Sequence, residues 1–206
     1  EKYGNVTFES GEYLLGAPEF ILKDAFSAVA EAVAPYTERG LRVLLLARRD
    51  ADGSIAPLAL ATLANPIRES AKQTFAYFKE QDVTVKVISG DNPAAVAEVA
   101  RQAGIENADR FIDASTLLSD EQLARAAQTY TVFGRVTPKQ KQLLVRALQS
   151  AGHTVAMTGD GVNDILAMKD ADCSVAMASG SEAAAQSAQV VLLDSDFSRM
   201  PEVVFE

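Results

Sequence analysis

The chain has 206 residues, 48% of them hydrophobic and 23% charged, with a formal net charge of −9. That length and apolar fraction suffice for one or two packed domains, and the acidic balance argues against a nucleic-acid partner, whose phosphates are held by clustered Lys and Arg. The single Cys173 excludes an internal disulfide and reads as a buried structural thiol. No apolar run reaches the roughly 18–20 residues that span a bilayer, and Glu1-Lys-Tyr-Gly-Asn5 has no signal-peptide pattern, so the chain as it stands is expected to be soluble.

Two β-rich runs, Val6-Thr-Phe8 and Tyr13-Leu-Leu15, flank Ser10-Gly11 and predict a hairpin. Gly16-Ala-Pro-Glu19 follows as a loop in which Pro18 starts a helix. Apolar residues at helical spacing (Phe26, Val29, Val33) predict a helix over 23–37, ended by Pro35. A strand over 40–47, the Asp52-Gly53 turn and a strand over 58–63 read as an antiparallel pair. After Asn65-Pro-Ile-Arg68, residues 69–81 read as an amphipathic helix with Phe75 and Phe78 toward a sheet. A β-rich run over 83–88 ends at Ser89-Gly-Asp91, a strand, small polar turn and helix in succession.

The next helix runs over 92–103 with Gly104 as its C-cap, and another starts near Ser119 with Asp120 and Glu121 in its first turn. Val132-Phe-Gly-Arg-Val136 is a short strand, and Thr137-Pro-Lys-Gln-Lys141 opens a helix that continues over 140–149. His153, the only histidine, reads as a turn residue. Further on, Ser181 caps a helix to about Ser187, and Val190 to Leu193 is a last buried strand.

The stretch Val155-Ala-Met-Thr-Gly-Asp-Gly-Val-Asn-Asp164 organises the rest. Val155 to Met157 reads as a buried strand that Thr158-Gly-Asp160-Gly161 is too small and polar to continue. Helical spacing resumes at Ile165, Leu166 and Met168. Asp160 and Asp164 therefore sit at the carboxyl end of a strand, where open α/β sheets bind ligands. Glycines and a helix N-terminus suit an anion, yet two carboxylates point to the same place. A cation between them resolves the repulsion, and Mg²⁺ fits, being held by one or two carboxylates plus waters and a phosphate oxygen. Read alone, the tetrad is equally compatible with a turn and cap.

The run Thr158-Gly-Asp-Gly-Val-Asn-Asp164 resembles the hinge motif of P-type cation-transporting ATPases, members of the haloacid dehalogenase-like superfamily, and Ala167 to Asp172 and Val175 to Met177 resemble the family's text after it. Gly-Ala-Pro-Glu, Arg42, Asn-Pro-Ile-Arg, Ser-Gly-Asp and Arg135-Val-x-Pro-x-x-Lys141 match further motifs in the family's order. Leu15 stands where the family usually has Lys, Asn65 where it has Asp, and Ile67 where it has a second Pro. The resemblance implies an α/β fold: a haloacid dehalogenase-like parallel sheet with flanking helices over 65–206, preceded by part of an α+β nucleotide-binding domain over 1–64. It implies ATP bound through Gly16, Ala17, Glu19, Arg42 and Arg135, and Mg²⁺ held by Asp160 and Asp164. Ser89, with Gly90 and Asp91, would bind a phosphoryl oxygen, Asn163 and Asp164 would order the metal shell, and Lys141 would balance charge.

In that family an Asp in Asp-Lys-Thr-Gly-Thr accepts the phosphoryl group, and the sequence contains no such segment. The expectation is therefore a cytoplasmic portion of an integral membrane pump whose upstream segment supplies the acceptor strand, with the cation carried by membrane helices outside this sequence. By itself the chain is expected to be inactive and its sheet to lack an interior strand. Val190-Val-Leu-Leu-Asp194-Ser-Asp196 mimics the opening motif of free-standing phosphatases of the superfamily, but lies after the Asp160 motif instead of before it. A soluble phosphatase using Asp194, and a catalytically silent Mg²⁺ and nucleotide module, are the alternatives.

Overall fold

In the computed structural model, which describes residues 3–64 and 66–205, the expected hairpin is present: β1 (Tyr3–Phe8) runs antiparallel to β2 (Gly11–Gly16). The chain divides into two units, Glu1–Pro66 and Ile67–Glu206. Asn65, which opens the Asn65-Pro-Ile-Arg68 motif, lies outside the described residues.

In the first unit Pro18 begins α1 (Pro18–Leu22). The helix expected over 23–37 is interrupted: Lys23–Phe26 form a 3₁₀ turn, and α2 starts only at Ser27 (Ser27–Thr37). Pro35 does not stop α2 but sits in its last turn, where the proline forfeits a single amide bond. The carbonyl of Ala34 closes that turn by accepting the Glu38 amide at 2.9 Å and the Thr37 hydroxyl at 3.0 Å. β3 (Arg42–Arg49) and β4 (Ile55–Leu63) complete an antiparallel sheet in the order β1-β2-β3-β4. Alternation along β3 puts Val43, Leu45 and Ala47 inward. Leu45 and Ala47 join Leu14, Ile21 and Leu22 in the core. The other face carries Val6, Phe8 and Leu15, all substantially exposed.

The second unit opens with α3 (Ala71–Glu80). Phe75 and Phe78, expected against a sheet, instead meet the ring of Phe197, with centroids 6.2 and 5.7 Å away. The strand expected over 83–88 is only β5 (Val87–Ile88), because its one partner among the described residues, β7 (Val132–Gly134), is itself three residues long. Between them come α4 (Pro93–Ala103), β6 (Phe111–Asp113), which the sequence reading did not anticipate, and α5 (Asp120–Thr129). Asn92 and Ser119 cap the two helices. Gly104 closes α4 at φ +87°, a left-handed conformation that L side chains rarely adopt.

α6 (Pro138–Ser150) starts from a reciprocal capping box between Thr137 and Gln140. β8 (Ala156–Gly159) runs two residues beyond Met157, since Thr158 and Gly159 pair with Val175 and Ala176 of β9 (Cys173–Met177), a second unanticipated strand. A 3₁₀ turn at Val162–Asp164 leads into α7 (Ile165–Asp170). α8 (Glu182–Ser187) is capped by Ser181 as expected. β10 (Val190–Leu192) and α9 (Met200–Phe205) follow.

The strands form two parallel sheets, β5-β7-β6 and β10-β9-β8. Each has its own core, one around Phe133 and Leu144, the other around Met157, Met168 and Ala176. Helix α6 serves both, because Leu144 enters the first and its neighbour Val145 the second. The class is the expected one: parallel sheets with flanking helices, plus a small antiparallel sheet. Among the described residues no helix is long and apolar enough to cross a membrane.

Candidate functional site

Asp160 and Asp164 lie where β8 gives way to the 3₁₀ turn, as the strand-turn-helix reading expects. Their environments differ. Asp160 is exposed, whereas Asp164 is only 7% exposed and spends both carboxylate oxygens on protein groups. Its Oδ1 accepts from Lys141 Nζ at 2.5 Å, and its Oδ2 accepts from the Gly161 amide at 3.2 Å. The Lys141 side chain is itself only 13% exposed. A close, little-hydrated ammonium–carboxylate pair thus stands at the carboxyl end of β8, with Asn163 exposed beside it.

The turn is held from behind by the loop at Gly180 and Ser181. The Ser181 amide donates to the Asp160 carbonyl at 2.7 Å. Gly180 packs so tightly that a Cβ there would lie 2.4 Å from the same carbonyl oxygen. Side-chain spacing carries no signal for this contact, because the hydrogen bond joins backbone atoms 21 residues apart.

Ser89, Gly90 and Asp91 form the turn after β5. The Ser89 amide is not available to a ligand, since it continues the sheet by donating to the Phe133 carbonyl at 2.9 Å. Its Oγ accepts the Asp91 amide at 3.1 Å, which leaves the hydroxyl proton able to point outward. The turn is tied to the loop after β7: the Arg135 amide donates to the Asp91 carbonyl at 2.8 Å and the Val136 amide to the Ser89 carbonyl at 2.9 Å. Arg135 reaches this position with φ +52°, an uncommon conformation for a residue with a side chain. Its guanidinium donates to Asp113 Oδ2 at 2.5 Å. Burial works to raise the Asp113 pKa, but hydrogen bonds from Ser115 and Arg135 outweigh it, and the carboxyl is held below the ordinary carboxylate range.

In the first unit Gly16 ends β2 opposite Leu45, and Ala17 caps α1, its carbonyl accepting from the Phe20 and Ile21 amides. Glu19 lies in the first turn of that helix. Arg42 opens β3, so it stands at the same end of the sheet as the Gly16–Glu19 turn and on the same face as Leu15, Leu44 and Leu46. Leu15, at the position of the family's Lys, is 47% exposed on that open face.

The remaining candidates stand apart. Asp194 follows β10, the outer strand, and is two strands from β8, roughly 10 Å at ordinary strand spacing. It is about half exposed and ion-paired with Arg199 at 3.2 Å. His153 is an exposed residue just past α6, and Cys173 is partly buried at the start of β9. Among the described residues no three His, Cys, Asp or Glu side chains gather to hold a metal ion. Two carboxylates nevertheless suffice for Mg²⁺ when it keeps waters and a phosphate oxygen: Asp160 is exposed, and each Asp164 oxygen accepts from a single protein donor and keeps a second lone pair.

Residues 2–172 match the family of haloacid dehalogenase-like hydrolases. Over its whole length the chain is 44% identical to the probable cation-transporting ATPase exp7 of Streptococcus pneumoniae and 47% identical to the calcium-transporting ATPase CtpE of Mycobacterium tuberculosis, covering 27% and 26% of them. Over 83% of its length it is 35% identical to the magnesium-transporting ATPase, P-type 1, of Salmonella typhimurium, of which it covers 20%. It thus spans about a quarter of the length of the relatives it matches along its whole length. In fold it resembles the catalytic domain of the CPx-ATPase CopB-B, with a TM-score of 0.55 over 80% of this chain and 58% of that one, at 19% identity.

Proposed function

The chain belongs to the haloacid dehalogenase-like hydrolases and, among them, to the P-type cation-transporting ATPases, and on that premise we propose that its Ile67–Glu206 unit is the phosphorylation domain of an ATP-driven cation pump. The Glu1–Pro66 unit is part of the nucleotide-binding domain. The terminal phosphoryl group of ATP passes to an Asp carboxylate carried outside this sequence: a P–O bond to that Asp forms, the bridging P–O bond breaks, and ADP leaves. Water later cleaves the aspartyl phosphate, and the two steps alternate the conformations of the pump.

The observation that carries this reading is the Lys141–Asp164 pair at the mouth of β8. A fixed ammonium beside a transferring phosphoryl group offsets charge that accumulates on its oxygens, and a largely dehydrated site makes that attraction strong. Asp164 holds the ammonium in place and, through the Gly161 amide, shapes the turn that presents Asp160. Asp160 and Asp164 would hold Mg²⁺, which when bound neutralises phosphate charge and orients the oxygens, and Asn163 lies beside them. Ser89 donates its hydroxyl to a phosphoryl oxygen, with Gly90 giving an open approach, since a Cβ there would meet nothing within 4 Å. Gly16, Ala17, Glu19 and Arg42 supply the nucleotide contacts.

The test is phosphoenzyme formation. The full-length protein that carries this sequence is incubated with Mg²⁺ and γ-labelled ATP, quenched in acid, and challenged with hydroxylamine, which releases acyl phosphates. An acid-stable, hydroxylamine-labile label that disappears in Asp160→Asn and Lys141→Met is expected. No label on the wild-type protein would refute the reading.

A further inference from the structure

We propose that Asp113 is a positioning residue for the phosphoryl site, acting through Arg135 and the Ala114–Thr116 turn to hold both the Ser89 turn and the Lys141 helix. The inference rests on the phosphoryl-transfer reading given above. Asp113 ends β6, so it stands at the carboxyl edge of the same sheet as Ser89, with β7 between the two strands. Its two oxygens have separate tasks. Oδ1 accepts from the Ser115 amide at 3.0 Å and the Ser115 hydroxyl at 2.6 Å, which fixes the Ala114–Thr116 turn. Oδ2 takes the Arg135 guanidinium, and both side chains of this pair are only 22% exposed.

From each oxygen a continuous path leads to a proposed phosphoryl-binding residue. Along the first, Ala114 is fully buried and its carbonyl accepts from Gln140 Nε2 at 2.7 Å, while the other end of that amide closes the capping box of α6. Lys141 is the next residue. Along the second, the ion pair holds Arg135 in its left-handed conformation, where the amides of Arg135 and Val136 bond the carbonyls of Asp91 and Ser89. The fit there leaves no slack, since a Cβ on Gly134 would lie 2.4 Å from the Cα of Pro93, just past the Ser89 turn. A residue with a side chain is strained in the left-handed region and persists there only where its surroundings fix it. Asp113 is the group that fixes it here. On this account Arg135 supports the Ser89 turn.

The experiment uses the full-length protein and measures phosphorylation from Mg-ATP, with rates expressed per phosphorylatable site so that lost folded protein does not count. Asp113→Ala is expected to lower the maximal rate about tenfold or more while KM for ATP stays within about twofold, the pattern of an interaction realised in the transition state. Asp113→Asn keeps the cap on Ser115 but loses the ion pair, and is expected to fall between wild type and Asp113→Ala. If either variant folds too poorly for kinetics, amide hydrogen exchange replaces them: the Arg135 and Val136 amides should exchange faster than in wild type, beyond any change in the β9 amides. A raised KM with an unchanged maximal rate would make Arg135 a nucleotide contact and overturn the inference. So would unchanged rates per site together with unchanged exchange. A wild-type protein that forms no phosphoenzyme would instead refute the phosphoryl-transfer reading itself.

Discussion

Replacing Lys141 by Met keeps most of the aliphatic stem and removes only the ammonium. What remains is a carboxylate at Asp164 whose side chain is 9% exposed and whose one surviving polar partner among the described residues is the Gly161 amide at 3.2 Å. Breaking one side of a buried ion pair costs about 3–5 kcal/mol, because the other charge is left uncompensated. Against a total stability of roughly 5–15 kcal/mol, that is a large fraction. At about 2–4 °C per kcal/mol for a chain of this size, the melting temperature should fall by about 6–20 °C. The chain contains no Trp, so urea unfolding is followed by far-UV circular dichroism, with amide exchange along α6 assigning the transition to the Ile67–Glu206 unit. The companion is Asp164→Asn, which keeps an acceptor for Gly161 without the charge. The double variant should be less unstable than the sum of the two single variants by about 2 kcal/mol, since it leaves no orphaned ion. A Lys141→Met protein within about 0.5 kcal/mol of wild type, with no coupling in the cycle, would show that water screens the pair, and the electrostatic argument for Lys141 would fall with it.

Gly180→Ala sets a Cβ 2.4 Å from the Asp160 carbonyl oxygen, so the turn must shift; we expect about 1–3 kcal/mol of destabilisation and a larger proportional loss of phosphoenzyme, and full activity would refute the positioning role of this loop. Leu15→Lys adds a cation on the open face that Leu15 shares with Arg42, and calorimetry should show ATP binding tightened several-fold; unchanged affinity would place the nucleotide elsewhere. Asp113 has its folded pKa depressed below the ordinary value of about 3.9, so its contribution is present above that pH and is lost as pH falls through the folded value. Wild type should therefore exceed Asp113→Asn in stability at neutral pH and converge with it as pH falls through the depressed folded value, whereas a gap that persists in stronger acid would show that the lost interaction is not that of the ionised carboxylate.

Local chemistry made much of the fold legible. The caps at Asn92, Ser119, Thr137 and Ser181, the left-handed Gly104 and the strand-turn-helix at Asp160 each depend on residues within one turn of one another, which is the range that spacing reports. The failures share a different cause. Phe111-Ile-Asp113 is too short to show alternation and is a strand only because Val132 to Gly134 lie beside it. Thr158 and Gly159 look like turn residues and extend β8 only because β9 pairs with them. Pro35 reads as a stop, yet it sits in the last turn of α2, where it forfeits one amide bond and the helix ends at Thr37 without a further turn to disrupt. The contacts from Ser181 to Asp160 and from Asp113 to Arg135 join segments about twenty residues apart through backbone or a single side chain, and no periodicity reports them.

Topology also gives physical content to the absent Asp-Lys-Thr-Gly-Thr segment. Parallel sheets are ordinarily buried on both faces and built from interior strands, yet here β5 and β8 are each the edge of a three-stranded sheet among the described residues. They are also the two strands that deliver the candidate phosphoryl-binding turns, Ser89 after β5 and Asp160 after β8. The opposite edges behave differently: Asp113 at the end of β6 and Asp194 after β10 are spent on Arg135 and Arg199. On the pump reading, a strand laid parallel against both β5 and β8 would satisfy both sets of unpaired amides and carbonyls and bring its own carboxyl end toward the Ser89 and Asp160 turns. On the pump reading that strand ends in the acceptor Asp. The same pairing that completes the sheet would then assemble the site, so supplying the segment should stabilise the Ile67–Glu206 unit and confer phosphorylation together. Gaining one without the other would separate fold completion from catalysis.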